Sequence, residues 1–288
     1  MQFDWSTLGR KAPTALVRAR NFAHHAAQWP ARAARANLAA VPDDSHAALE
    51  WDAAHGALFT RPLQAAGTDV RVGLRVGGLA LVILRGGIAL DTFELAGRRD
   101  SMIGVWLDSA LRALGLKPAS DVVLPYSVHT HSVVRSGAYS CSGEAEAFDE
   151  LAHWFGAAAE ALEEIRIRLA DLDPGPGPVY CWPHHFDIAM LVGLEHGPAE
   201  SARSVGIGVS PGDEHYAQPY VYVSPWPQLK PAELDILPPP GHWHTHGFVA
   251  AVATGEQILM LEDRGPGLLA FINAAFEIGR ARLTASKA

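Results

Sequence analysis

The chain has 288 residues, 49% of them hydrophobic, and a formal charge of −8 at pH 7. That is ample for a large core, and the acidic balance with no basic stripe argues against a nucleic-acid partner. Two cysteines, Cys141 and Cys181, are too few for a disulfide framework, no run reaches transmembrane length, and the first residues lack the apolar core of a signal peptide. The expectation is a cytoplasmic protein that does not engage a membrane.

The first helical signal covers about Thr14 to Ala40, with Pro30 expected to kink it or start a second helix. Short strand-like pieces follow at 47–51, 56–62, 70–76, 79–84 and 88–95, with the Gly-Gly pairs at 77–78 and 86–87 reading as hairpin turns. A helix is predicted from Ser101 to Leu114, closed by Gly115. Residues 121–143 form a mixed connection, with Val122 to Leu124 and Val128 to Val134 extended, and the histidine pair His129/His131 lies in it. The clearest helix comes next. Phe148, Leu151, Phe155, Ala158, Leu162, Ile165 and Leu169 fall at alternating spacings of three and four, one apolar stripe ended by Pro174-Gly-Pro-Gly-Pro178. Further strands are expected at 204–209, 219–224 and 244–252, before a closing helix that starts at Pro266.

Short Gly/Pro turns leave no room for crossover helices, so the predicted fold is α+β, a largely antiparallel sheet with helices packed on it. Helix, strands, helix occurs twice: 1–120 and 144–288, joined by 121–143. Leu38 and Trp51 match Leu169 and Trp182 at an offset of 131, and Arg71-Val-Gly-Leu-Arg-Val76 matches Ser204-Val-Gly-Ile-Gly-Val209 at 133. The expectation is an internal duplication whose second half carries the polar decoration.

The stretch around Trp182-Pro-His-His-Phe-Asp-Ile-Ala189 puts polar groups into a strand-like run. His185 and Asp187 stand two apart, so on a strand they share a face about 6–7 Å apart. Burying a carboxylate beside an imidazole is costly unless they pair or bind something. A hydrogen-bonded pair that pins a strand end is the plain reading, and a ligand site is the functional one. Ser210-Pro-Gly-Asp-Glu214 reads as a type II turn that returns Asp213 and Glu214 toward the same region. Paired carboxylates near an imidazole do acid–base work or hold a cation. Trp182, Tyr220, Tyr222 and Trp226 are expected to wall a pocket there.

Two of these segments resemble a family of uncharacterised bacterial proteins of about this length. Residues 182–189 are similar to its W-P-E-H-F-D-hydrophobic-A signature. Gly208-Val-Ser-Pro-Gly-Asp-Glu214, Pro219-Tyr-Val-Tyr-Val223 and Pro225-Trp226 are similar to its S-P-G-D-E…P-Y-x-Y-V-x-P-W segment. His184 stands where that family has Glu. The resemblance implies a fold and a site position, with no activity attached.

His242, His244 and His246 alternate, and on a strand all three imidazoles line one face. With His185 or Asp187 they make a ligand set for a divalent metal, Zn or Fe, against the plainer reading of an exposed histidine-bearing strand. His185, Asp187 and His244 also match a two-His-one-carboxylate spacing, but the helices argue against the fold that carries it. Cys181, between Tyr180 and Trp182, reads as a packed thiol. Two function classes stay open. One is a metal-dependent enzyme built on His185, Asp187, Asp213 and Glu214. The other is a non-catalytic small-molecule-binding or scaffold protein in which these motifs are structural. The sequence does not decide the oligomeric state.

Overall fold

The computed structural model describes residues 4–128, 137–198 and 201–285. Its fold is α+β, with helices on a large antiparallel sheet. The chain divides into two compact units: Ala15–Gly156 with Tyr180–Phe186, and Met1–Thr14, Ala157–Val179 and Asp187–Ala288.

In the first unit, α1 (Val17–Asn37) is followed by β1 (Leu49–Asp52), β2 (Ala57–Thr60), β3 (Leu63–Ala65), β4 (Thr68–Arg75), β5 (Ala80–Arg85) and β6 (Ile88–Glu94), then α2 (Asp100–Ala113). The strands run β1-β2-β4-β5-β6 in space. The short β3 pairs with β4, and β8 (Tyr180–Trp182) lies beside β1. Both Gly-Gly pairs sit in hairpin turns, with Gly78, Gly86 and Gly87 at positive φ. Helix α2 closes as expected: the Leu116 amide donates to Leu111 O and that of Gly115 to Arg112 O, with Gly115 at φ +75.

Pro30 neither breaks α1 nor starts a new helix. A proline inside a helix costs about 3 kcal/mol. Here its neighbours Ala26, Ala27, Ala31, Ala33 and Ala34 are fully buried, and their packing on the sheet outweighs the lost bond. The 121–143 connection contains no named strand among its described residues. Of the stretch expected to be extended, 129–134 lies outside the description, as do His129 and His131.

The second unit holds β7 (Gly175–Pro176), β9 (Asp187–Gly193), β10 (Ser204–Ser210), β11 (Tyr220–Trp226), β12 (His242–His244), β13 (Ala250–Thr254), a short α4 (Gly255–Leu259) and α5 (Arg264–Ala285). Their order is β9-β10-β11-β13-β12, with β7 on β9. Alternation sorts the two faces of this sheet. Val205, Ile207, Val209, Val221 and Val223 are buried on the side that receives α5. Asp187, Gly208, Tyr220, Tyr222, His242 and His244 lie on the other.

The single strand expected over 244–252 is two strands joined by a turn, with His242 opposite Val252 and His244 opposite Ala250. Gly247, at φ +86, supplies the reversal. Helix α3 (Ala145–Arg168) gives its first half to one unit and its second to the other. Phe148, Leu151, Phe155, Leu162 and Ile165 are buried as the stripe requires, whereas Leu169 lies past the helix end and is half-buried.

Candidate functional site

The site is built on the face of the second unit's sheet away from α5. Tyr222 on β11 stands opposite Gly208 on β10, and Gly208 stands opposite Ala189 on β9. A Cβ on Gly208 would lie 2.5 Å from the Tyr222 ring and 2.8 Å from Ala189 Cβ. The missing side chain is the space through which Tyr222 reaches across β10. Its hydroxyl donates to Asp187 Oδ2 at 2.5 Å. Asp187 is 7% exposed, and burial beside this carboxylate pushes the Tyr222 phenol well above its usual range.

Tyr220, two residues earlier and on the same face, donates to Asp213 Oδ2 at 2.5 Å. Asp213 also caps its own loop, because Oδ1 accepts from the amides of His215 (2.8 Å) and Tyr216 (3.0 Å). In place of the expected type II turn, the chain bends at Pro211 after β10, with Gly212 at φ +109, its amide on Ser210 Oγ, and the Asp213 amide donating to Tyr216 O. The loop then folds back so that Tyr216 packs on Tyr220, ring centroids 4.8 Å apart, in a cluster with Ala250, Val252 and Phe248.

That return puts the Tyr216 hydroxyl 3.1 Å from His242 Nε2 and 2.9 Å from His244 Nδ1. His244 Nε2 lies 2.6 Å from the His246 carbonyl oxygen, and its ring stacks on Phe248 at 4.2 Å. A carbonyl only accepts, so Nε2 of His244 carries the hydrogen. In the neutral ring Nδ1 then accepts, Tyr216 donates to it, and the phenol oxygen takes a hydrogen bond from His242 Nε2. The order is therefore fixed: His242 to Tyr216 to His244 to the His246 carbonyl. Nδ1 of the exposed His242 is left with its lone pair. Burial and the neighbouring His244 hold the His242 imidazole below its usual pKa, and burial raises the Tyr216 phenol.

The remaining expected site residues fall elsewhere. His185 and Asp187 do not share a strand. Trp182 ends β8, residues 183–186 form a turn, and β9 begins at Asp187. Phe186 takes φ +61, which breaks the alternation; it is buried against His24 (5.3 Å) and Phe155 (5.0 Å). His185 is exposed in that turn and belongs with Trp182 to the first unit. Glu214 is exposed, with His215 Nε2 3.8 Å from its Oε1. Trp226 lies six residues along β11 from Tyr220, about 20 Å at strand rise, and is 43% exposed. His246 sits in the bend before Gly247, so the three histidines do not line one face. Among the described residues no three His, Cys, Asp or Glu side chains converge as a metal site.

Tyr216 was the residue that strand and turn signals alone did not single out. No protein-family model, curated protein or solved structure matches the chain.

Proposed function

We propose that the second unit carries an acid–base centre that abstracts a proton from a small molecule, with His242 as the base. The observation behind this reading is the one-way hydrogen-bond chain from His242 through Tyr216 and His244 to the His246 carbonyl. It fixes the tautomer of His242 and leaves Nδ1 open. A proton taken up at Nδ1 does not break the chain, since Nε2 still donates to Tyr216. The lowered pKa keeps this imidazole neutral, and so competent as a base, at neutral pH. Asp187 and Asp213 hold the frame: each anchors a tyrosine, and Asp213 has both oxygens engaged.

A panel of small carbon acids followed by NMR for exchange of their α-protons in D₂O, together with activated esters, tests the reading. His242→Gln should lower the rate by about 10²–10⁴, the usual worth of general acid–base catalysis. Tyr216→Phe should cost less. A wild-type protein that accelerates no member of the panel contradicts the proposal.

We also infer that the two sheets descend from one duplicated unit. Reading across the strands, Leu58-Leu74-Leu81-Phe93 are opposed in the first and Met190-Ile207-Val223-Ala251 in the second. Residue 58 maps to 190 and 74 to 207, offsets of 132 and 133, beside the 131–133 of the sequence matches. The next row is Ala57-Arg75-Ala80-Glu94 in one unit and Ala189-Gly208-Tyr222-Val252 in the other. An Arg75–Glu94 ion pair of 2.6 Å bridges this row over Ala80, where the other copy has Gly208 and Val252 on either side of Tyr222. An experimental structure with either register moved by one residue would sink the duplication.

A further inference from the structure

A second site lies in the first unit, against α1. His25, Gln28 and Arg32 fall at i, i+3 and i+7, on one stripe of that helix. Residues 120–128, an irregular stretch with a turn at 120–121 and a bend at 125–126, line the same cavity, with Val122, Leu124, Tyr126 and Val128 half-buried and the residues between them exposed. Between stripe and stretch is a cavity of about 440 Å³, with Ser120 also in its lining. It falls in the usual range for small-molecule sites, roughly 300–1,000 Å³.

Its polar groups differ in how they are used. Gln28 is fully committed: its amide donates to Pro183 O (2.8 Å) and His24 O (2.9 Å), and its oxygen accepts from the Tyr126 hydroxyl (2.9 Å). The stretch opposite is pinned where the Ser120 amide meets Asp108 Oδ1 at 3.1 Å. Arg32 is different. Its guanidinium sits over the Trp29 ring at 5.3 Å, yet among the described residues no carboxylate pairs with it. Its Nε is buried with no hydrogen-bond partner. A guanidinium with an unsatisfied N–H and no carboxylate partner is a favourable seat for an anion at its remaining N–H groups. Among the described residues no acidic side chain lines the cavity. The wall opposite is aliphatic and aromatic.

We propose that this cavity binds a small monocarboxylate with an apolar body, the carboxylate on Arg32 beside His25 and the body along Val122, Leu124 and Tyr126. The site is independent of the His242 centre. Isothermal titration of the full chain tests it with benzoate, phenylacetate and hexanoate, with benzamide as an uncharged match and inorganic phosphate as an anion without a body. One or more of the carboxylates should bind saturably, at least tenfold more tightly than benzamide or phosphate. Arg32→Met should abolish that binding, and Leu124→Asp should weaken it at least tenfold. Arg32→Lys keeps the charge and should retain weakened binding, which separates loss of the anchor from loss of the fold. Absence of binding by all three carboxylates up to about 10 mM, equal binding of benzamide, phosphate binding as tight as the carboxylates, or undiminished binding to a folded Arg32→Met protein would each overturn the proposal.

Discussion

At the scale of single residues, the site depends on what glycine leaves out. Gly208 is required because the Tyr222 ring fills the place of its side chain. Gly208→Val is expected to destabilise the protein by about 1–3 kcal/mol in urea unfolding, the range for overpacking. Tyr222→Phe keeps the ring but leaves Asp187 Oδ2 without its donor, and a loss of about 1.5–3 kcal/mol is expected for a hydrogen bond to a charged group. A Tyr222→Phe loss below about 0.5 kcal/mol would mean that the pair is dispensable. Asp187 and Asp213 were legible in the sequence because a carboxylate in a strand-like run and one behind a Pro-Gly turn both need partners. Pairing His185 with Asp187 was not sound, because strand alternation assumes extended backbone and Phe186 takes a left-handed conformation held by burial. Tyr216 escaped notice for a similar reason. Its role comes from a loop folding back, and loop return has no periodicity to read.

At the scale of elements, the apolar stripe of α3 was readable because a helix buries every third or fourth residue whatever it packs on. Leu162 is fully buried, and Leu162→Ala should cost about 2–5 kcal/mol by equilibrium unfolding, with a loss under about 1 kcal/mol contradicting the packing described. The Gly-Gly hairpins and the Gly115 cap were equally direct, since each states a backbone conformation. The β12–β13 turn was harder. Thr245-His-Gly interrupts an otherwise strand-like run by one glycine, and whether that glycine bulges or reverses the chain is decided by the partner strand. Pro30 shows the converse, a local breaker overruled by burial of the alanines around it.

At the scale of the whole molecule, the α+β class and antiparallel order followed from turn lengths, whereas the division into units did not. Tyr180–Phe186 counts with the first unit although it lies far along the chain. Among the described residues no helix is long and apolar enough to cross a membrane. One part of the protein's acid response follows from His184. Burial, then the neighbouring His185, depresses the His184 imidazole to about 4. A group with a lowered folded pKa is neutral in the native state while the unfolded chain takes up its proton. Its contribution is therefore complete above the unfolded value of 6.5 and is lost as pH falls from there to about 4. Because the ring is partly exposed, the loss is discounted to about 1–2 kcal/mol. His184→Gln should flatten that part of the stability–pH curve between pH 7 and 4, and an unchanged slope would contradict the assignment.

The most direct test of the acid–base centre is the tautomer and titration of its two imidazoles, read by long-range ¹H–¹⁵N NMR on histidine-labelled protein and assigned with His242→Gln and His244→Gln. Both rings should carry their hydrogen on Nε2 at neutral pH, His242 should titrate below 6.5, and His244→Gln, which removes the neighbouring imidazole, should return its titration toward that value. A His242 that titrates at or above 6.5 with its hydrogen on Nδ1, unchanged by His244→Gln, would contradict the account.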